Sequence, residues 1–286
     1  MNKMIVSLAL LAGVLAEPCL AQSAPKLTFS TGVDYSRGDF DADAKTSVLY
    51  APFTTQLAWG DWSFGATIPY IRIEGPGAVV GGGDSGVVVT CGPRRQRLGL
   101  CPQAEPSAPQ AAVTTAGGLG DLSFSAGYLL PEAWTGTWLV ELQGRLKAPT
   151  ASTRNGLGTG KVDYGIGVDI ARGHGTVRPF INLGYRVLGD FTYVNPATGE
   201  AQDVDFSNGP TVSAGTSVVL GDNTLLFSYD YARKTVDTAS DSHSLYGGWT
   251  YHVGPHLDLT GYGAAGLSRS APDFAVGLQI SVPVGL

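Results

Sequence analysis

Residues 162–170 read VDYGIGVDI and residues 177–187 read VRPFINLGYRV, with apolar side chains at every second position. Aspartate and glycine fill the alternate positions of the first stretch, and arginine and asparagine are among those that fill them in the second. Successive side chains of a β-strand point to opposite faces, so each stretch has one apolar and one polar face. A charge at the bilayer midplane costs about 2–4 kcal/mol, and hardly any charge falls on the apolar face. The pattern predicts strands of a transmembrane β-barrel.

The same alternation recurs along the chain, and the turns divide it into twelve predicted strands. We expect these strands at residues 26–35, 46–59, 62–73, 120–130, 137–148, 162–172, 177–188, 209–220, 225–234, 243–253, 257–267 and 273–284. The connectors alternate strictly between short and long, which is typical of bacterial outer-membrane barrels, whose short turns face the periplasm. A soluble β-sandwich shows the same alternation along its strands but does not need this connector pattern. The sequence therefore predicts an all-β, antiparallel, closed barrel.

The N-terminus predicts export. A short positive region at residues 1–3, an apolar run at 4–16 and a small-residue site before Gln22 form a cleaved secretory signal peptide over residues 1–21. Residues 22–286 then form one barrel domain. Forty glycines and only 15% charged residues suit a chain whose outer face meets lipid.

The predicted location follows from the barrel and its signal: the outer membrane of a Gram-negative bacterium. We expect outer-membrane lipid, lipopolysaccharide, the barrel assembly machinery and a small-molecule solute as partners. The formal net charge of −6 argues against nucleic acid, because phosphate binding needs an excess of lysine and arginine.

Two cysteines follow the signal peptide, Cys91 and Cys101, and both lie in the longest connector, residues 74–119. In an oxidising compartment such a pair predicts a disulfide. A metal site is the weaker interpretation because no histidine lies nearby in the sequence, and we expect no metal or cofactor. This connector is rich in glycine, proline and serine, and either a lid over the barrel mouth or a surface loop fits that composition.

Polar residues on the inner strand faces are the candidate functional residues. Across the 149–161 connector, Lys147 is expected opposite Asp163 and Glu141 opposite Asp169, with Arg178 of the next strand close to Asp169. These residues predict a charged belt along one inner wall, formed by Glu141, Arg145, Lys147, Asp163, Asp169, Arg178 and Arg186. The charged belt either selects solutes by charge or consists of mutually paired groups that fill a narrow barrel.

A second candidate pair lies across the short turn at Pro255, where His252 is expected to face Asp258 on the inner wall. The pair is either a pH-sensitive constriction or, more often for such pairs, a structural contact. A barrel-embedded lipid hydrolase would need a serine two positions from a histidine, on the same strand face. None of the four histidines has that arrangement, so we expect no catalytic residues.

Several short segments resemble a family of Gram-negative outer-membrane barrels that is labelled transporter-like or meta-pathway phenol degradation. They are GLGDL at 118–122, KAPT at 147–150, GLGTG at 156–160, DYG at 163–165, NLGY at 182–185 and PDF at 272–274. The resemblance covers residues 118–284 well and the first three strands only by pattern. It implies a channel or carrier for small, aromatic or hydrophobic compounds and no catalytic residues.

The sequence as a whole favours passive passage of small molecules through the barrel. Two alternatives stay open. One is an outer-membrane barrel without transport, with a structural or surface-interaction role, and the other is the lipid hydrolase.

Overall fold

The computed structural model describes residues 24–40, 45–76, 78–82, 85–89, 113–153, 157–194, 201–237 and 239–285. The strands are β1 (Lys26–Gly38), β2 (Thr46–Trp59), β3 (Trp62–Pro76), β4 (Ala78–Gly82), β5 (Ser85–Val89), β6 (Val113–Leu119), β7 (Leu122–Leu129), β8 (Trp138–Ala148), β9 (Asp163–Arg172), β10 (Val177–Val187), β11 (Phe191–Val194), β12 (Ala201–Val204), β13 (Gly209–Leu220), β14 (Asn223–Ala232), β15 (Ser242–His252), β16 (Asp258–Gly266) and β17 (Phe274–Gly285). One short α-helix, α1 (Glu132–Thr135), and one 3₁₀ turn, Gly254–His256, lie in short connectors. Within these ranges, no helix is long and apolar enough to cross a membrane.

The main sheet closes into a barrel of twelve strand positions. Each strand pairs antiparallel with its neighbours, β17 pairs with β1, and β6 and β7 share one position beside β3. The two remaining strand pairs, β4–β5 and β11–β12, are separate hairpins within long connectors. The predicted closed antiparallel barrel is confirmed. The predicted signal peptide, 1–21, and the predicted disulfide of Cys91 and Cys101 lie outside the described residues.

The outer surface of the barrel carries large apolar side chains. Ile166 is 71% exposed, Leu278 66% and Phe53 58%. Such exposure of alternate strand residues in a closed sheet leaves their surface for lipid. The apolar side chains of the alternating pattern therefore face outward and the polar ones inward, as the stretch from residue 162 predicts.

The connectors define two ends of the barrel. We call the end with the turns around residues 60, 174, 221 and 255 the short-turn end, and the opposite one the long-loop end. The irregular stretch expected at 74–119 is partly wrong, because β3 continues to Pro76, β6 begins at Val113, and β4 and β5 form a hairpin between them. Pairing of β3 with β6 satisfies the backbone groups of this extension.

A β-bulge interrupts the wall between β6 and β7. Tyr70 pairs with Leu119, but Thr67 pairs with Ser123, so β3 spans two intervening residues where its partner spans three. An extra residue of this kind re-aims the side chains next to it. Asp121 lies in the bulge and is fully buried inside the barrel.

Two prolines face each other across β2 and β3 near the level of the bulge, Pro52 and Pro69. The β1–β2 pairing skips the two residues of β1 between Thr31 and Asp34, next to Pro52. Because proline has no amide hydrogen, it cannot donate to a ladder. Each proline still accepts a hydrogen bond at its carbonyl oxygen. The Thr31 hydroxyl donates to the Pro52 carbonyl at 3.1 Å, and the Gly120 amide donates to the Pro69 carbonyl at 2.8 Å.

The inner face of β2 and β3 is apolar toward the long-loop end. Val48, Tyr50, Ile71 and Ile73 form a buried cluster there, each at most 6% exposed. This cluster fills part of the lumen, so the open space lies along the remaining wall and toward the short-turn end.

Candidate functional site: the barrel lumen

The lumen contains a cavity of about 390 Å³. About half of its lining residues are serine, threonine, glycine or charged residues, the others are mostly apolar or aromatic, and all seven residues of the charged belt line it. Among the apolar lining residues are Tyr50, Pro52, Phe180 and Leu226. Inward side chains of β1–β3, β7–β10, β13, β14 and β17 position this wall, since alternate residues of each strand face the barrel axis.

Lys147 is the centre of a buried charge cluster near the long-loop end, which we call the Lys147 junction. Its Nζ lies 2.6 Å from Asp163 Oδ2 and 3.3 Å from Asp121 Oδ2, and 3.4 Å from Thr159 Oγ1. The predicted position of Lys147 opposite Asp163 is confirmed. The second carboxylate, Asp121, was missed. The alternation of β7 could have placed it inward, in line with Ser123 and Ser125, but its contact with Lys147 depends on register.

The Lys147 junction also fixes the connector at residues 149–161. The amide of Ala151 donates to Asp121 Oδ1 at 2.8 Å, and Thr159 accepts from Lys147. Leu157 is 1% exposed and lies against Gly118, where an added Cβ would come within 2.7 Å of its Cδ1. Residues 157–159 are therefore packed against the barrel wall.

Glu141 and Asp169 are direct cross-strand partners, as predicted. Each carboxylate is held by uncharged donors: Ser63 Oγ donates to Glu141 Oε1 at 2.6 Å, and the Asn182 amide donates to Asp169. The expected proximity of Arg178 to Asp169 is wrong. The β9–β10 register places Asn182 opposite Asp169, and Arg178 lies four residues nearer the turn, about 13 Å along the strand.

The three arginines of the charged belt donate to neutral oxygens. Arg145 Nη2 lies 3.3 Å from Gln143 Oε1, Arg178 Nε lies 3.0 Å from the Gly175 carbonyl, and Arg186 donates to the Arg233 carbonyl. Neither Arg145 nor Arg178 forms an ion pair with any residue in the described ranges. Mutual pairing of charges therefore accounts for Lys147 but not for these two arginines.

A second group of polar side chains, which the charged belt does not include, occupies the wall formed by β1, β14, β15 and β16. Asp230 accepts hydrogen bonds from Ser213 and, at 3.1 Å, from Ser228. The Tyr262 phenol donates to Asp34, and its ring lies 5.8 Å from that of Tyr246. These residues occupy inward positions of their strands, so the alternation could have located them, but their contacts depend on register.

His252 and Asp258 pair at the short-turn end, as predicted. His252 Nδ1 lies 2.7 Å from Asp258 Oδ1, and its Nε2 lies 3.1 Å from Thr224 Oγ1. Neither residue of the pair lines the cavity. The pair ties β15 to β16, and Thr224 extends the contact to β14.

At the edge of the long-loop end, Asp241 closes the connector between β14 and β15. Its Oδ1 accepts from the Lys234 amide at 2.8 Å, and its Oδ2 accepts from the Tyr231 phenol at 3.0 Å. The Lys234 hydrogen bond, with a smaller contribution from Tyr231, lowers the pKa of the Asp241 carboxyl.

A closed antiparallel barrel of twelve strand positions, with an apolar outer surface and a cavity that charged and polar residues help to line, is a transmembrane β-barrel of the outer-membrane type. The chain belongs to the family described as "Putative MetA-pathway of phenol degradation", whose model matches residues 23–283. This finding confirms the resemblance noted for residues 118–284 and extends it over the first three strands.

Solved structures with a similar fold include two that are described as channels. The COG4313 outer membrane channel from Pseudomonas putida F1 has a TM-score of 0.63 at 10% sequence identity, covering 94% of this chain and 98% of that one. The CymD monoaromatic hydrocarbon channel has a TM-score of 0.46 at 12% identity, covering 93% and 89%. These likenesses concern the fold. Comparison with curated proteins finds no match.

Proposed function

We propose that this protein is a Gram-negative outer-membrane channel through which small molecules, among them aromatic or hydrophobic compounds, pass by diffusion. The observation that supports this most directly is the lumen cavity of about 390 Å³, which is of the size that takes a small-molecule ligand. The family description, which refers to phenol degradation, agrees with an aromatic solute.

The charged belt would set the selectivity of this channel. Arg145 is exposed inside the lumen and Lys147 is buried against two carboxylates, so the two cations of β8 differ in their availability to solute. A field from fixed charges along a narrow lumen discriminates permeating solutes by sign. Glu141, which accepts a hydrogen bond from Ser63, carries a negative charge nearer the short-turn end of the same strand.

The test is the conductance of the refolded chain in a planar bilayer, followed by its permeability to phenol in vesicles. We expect steady conductance whose ratio of cation to anion permeability falls in Glu141→Gln, because that carboxylate lines the cavity. Glu132→Gln is the matched control, since Glu132 lies in α1 at the short-turn end and does not line the cavity. A wild-type barrel that passes neither ions nor phenol would contradict the proposal.

The same recording tests the predicted bridge between Cys91 and Cys101. Conductance that changes on reduction would support a disulfide-held lid over the barrel mouth. Conductance unaffected by reduction would favour a surface loop.

One observation bears on the alternative of a hydrolase. Thr224, His252 and Asp258 form a hydroxyl–imidazole–carboxylate chain, the order of groups found in acyl-transfer triads. We nevertheless expect no ester hydrolysis, because this chain links three barrel strands at the short-turn end and lies outside the cavity. Hydrolysis of a lipid or aryl ester that is lost in Thr224→Val would establish the enzyme instead.

A further inference from the structure

Arg178 and Ser217 present unused hydrogen-bond donors to the lumen near the short-turn end. They are direct cross-strand partners on β10 and β13, and both line the cavity. The one hydrogen bond that Arg178 makes within the described residues is from Nε to the Gly175 carbonyl, so its terminal N–H groups have no partner there. Ser217 is 1% exposed, and its buried hydroxyl has no hydrogen-bond partner among the described residues.

An apolar shelf adjoins these two donors. Phe180 is the next inward residue of β10 after Arg178, and its register partner is Gly215. A Cβ on Gly215 would lie 2.8 Å from Phe180 Cζ, so the ring lies over the glycine, where a larger residue would displace it. Leu226, the β14 partner of Ser217, completes the shelf and also lines the cavity.

A guanidinium end and a hydroxyl beside a phenyl ring suit one ligand class. The planar fork of arginine matches the two oxygens of a carboxylate, and a buried unpaired hydroxyl gains most from an acceptor that reaches it. The cavity carboxylates on the neighbouring strands β9 and β14 are held by other donors, since Asp169 accepts from Asn182 and Asp230 accepts from Ser213 and Ser228.

We infer that Arg178 and Ser217 bind the carboxylate of a small aromatic acid, whose ring packs on Phe180 and Leu226. The terminal N–H groups of Arg178 and the Ser217 hydroxyl donate to the carboxylate oxygens. This site rests on the proposed channel for solute access and names the substrate class of that channel: an aromatic anion in preference to a neutral aromatic compound.

The test is equilibrium binding of benzoate by calorimetry to the full, refolded chain in detergent, with benzamide as the neutral isostere. We expect benzoate to bind the wild type more tightly than benzamide does. Since a charge-assisted hydrogen bond is about twice as strong as a neutral one, Arg178→Gln should weaken benzoate binding about tenfold or more and leave benzamide little changed. Ser217→Ala should weaken benzoate binding by a smaller factor.

Arg172→Gln is the matched control. Arg172 ends β9 at the same end of the barrel but is exposed, pairs with Trp138, and does not line the cavity. Its benzoate affinity should equal that of the wild type. Equal benzoate binding by Arg178→Gln and Arg172→Gln, or equal binding of benzoate and benzamide by the wild type, would overturn the site.

Conductance recorded on the same preparations separates this inference from the proposed function. A conducting barrel that does not bind benzoate overturns the site and keeps the channel. A barrel that does not conduct ions but binds benzoate in an Arg178-dependent way supports the binding site and overturns the proposed channel function. Ser217→Ala removes one oxygen atom, so it tests the site even if Arg178→Gln fails to fold.

Discussion

Replacement of Lys147 by methionine tests the energetics of the Lys147 junction most severely. The lysine side chain is 8% exposed, and its partners Asp121 and Asp163 are 0% and 20% exposed. Methionine keeps the apolar stem of the side chain and removes the ammonium group with its charge and its hydrogen-bond donors. Two carboxylates would then remain inside the barrel without their common cation.

The expected cost follows from that burial. Breaking a buried ion pair by removing one partner destabilises a protein by about 3–5 kcal/mol, because an uncompensated charge stays in a poorly solvated site. Contacts of 2.6 and 3.3 Å to two carboxylates place Lys147→Met toward the upper part of that range. The loss should also release the 149–161 connector, since Thr159 and Asp121 both help to hold it.

Urea-induced unfolding of the refolded barrel, followed by tryptophan fluorescence, measures this cost. Lys161→Met is the matched control, because Lys161 is exposed near the end of the same connector. Adding Asp121→Asn and Asp163→Asn to Lys147→Met should restore part of the loss, since no uncompensated charge then stays buried. Equal stabilities for the Lys147 and Lys161 variants would refute the account of the Lys147 junction.

Three further substitutions test other parts of the structure. Ile166→Arg should lower the free energy of unfolding in lipid by about 2–4 kcal/mol, because this side chain faces outward in mid-strand. A loss of stability no larger than that caused by a loop substitution would contradict its exposure to lipid. Leu157→Ala should lower the free energy of unfolding by about 2–5 kcal/mol, because it leaves a cavity where a fully buried side chain packs against Gly118, and an unchanged free energy of unfolding would show that this contact does not stabilise the barrel. The lowered pKa of Asp241 means that its stabilising effect is present above the ordinary carboxyl pKa of about 3.9 and is lost as the pH falls through its value in the folded barrel. The protection of the Lys234 amide from hydrogen exchange, relative to an unstructured amide at the same pH, should therefore fall at low pH in the wild type and be low at all pH values in Asp241→Ala.

The alternation along the strands was enough to predict the barrel and part of its inner wall. The hairpin from β8 to β9 has a regular register, so Lys147 and Asp163 could be placed opposite each other by counting residues from the connector. The same count placed Glu141 opposite Asp169. Strand ends differ from the prediction by only a few residues for most of the barrel, because turn residues mark them clearly.

Features that depend on register across short turns and bulges could not be predicted in this way. Counting through the turn at residues 173–176 did not show that Asn182 lies opposite Asp169. The β9–β10 ladder begins with Ala171 opposite Phe180, so it is shifted from the register that the turn residues suggest. Asp121 lies on the inward face of its strand, in line with Ser123 and Ser125, but its contact with Lys147 depends on how the chain enters β7 beside the bulge. The Ser217 hydroxyl gave no signal, since one serine among many inward polar residues is unremarkable until its missing partner is known.

The facing prolines of β2 and β3 give the barrel wall a mechanical weak point. Each strand of a closed barrel is normally held by amide donors on both sides, but Pro52 and Pro69 supply none at this height, and the β1–β2 ladder is skipped beside Pro52. A threonine hydroxyl and a single glycine amide bridge the gaps. Under tension applied across the wall, neighbouring strands would separate first at this level, so elastic deformation of the cylinder concentrates in one narrow hoop between its two ends.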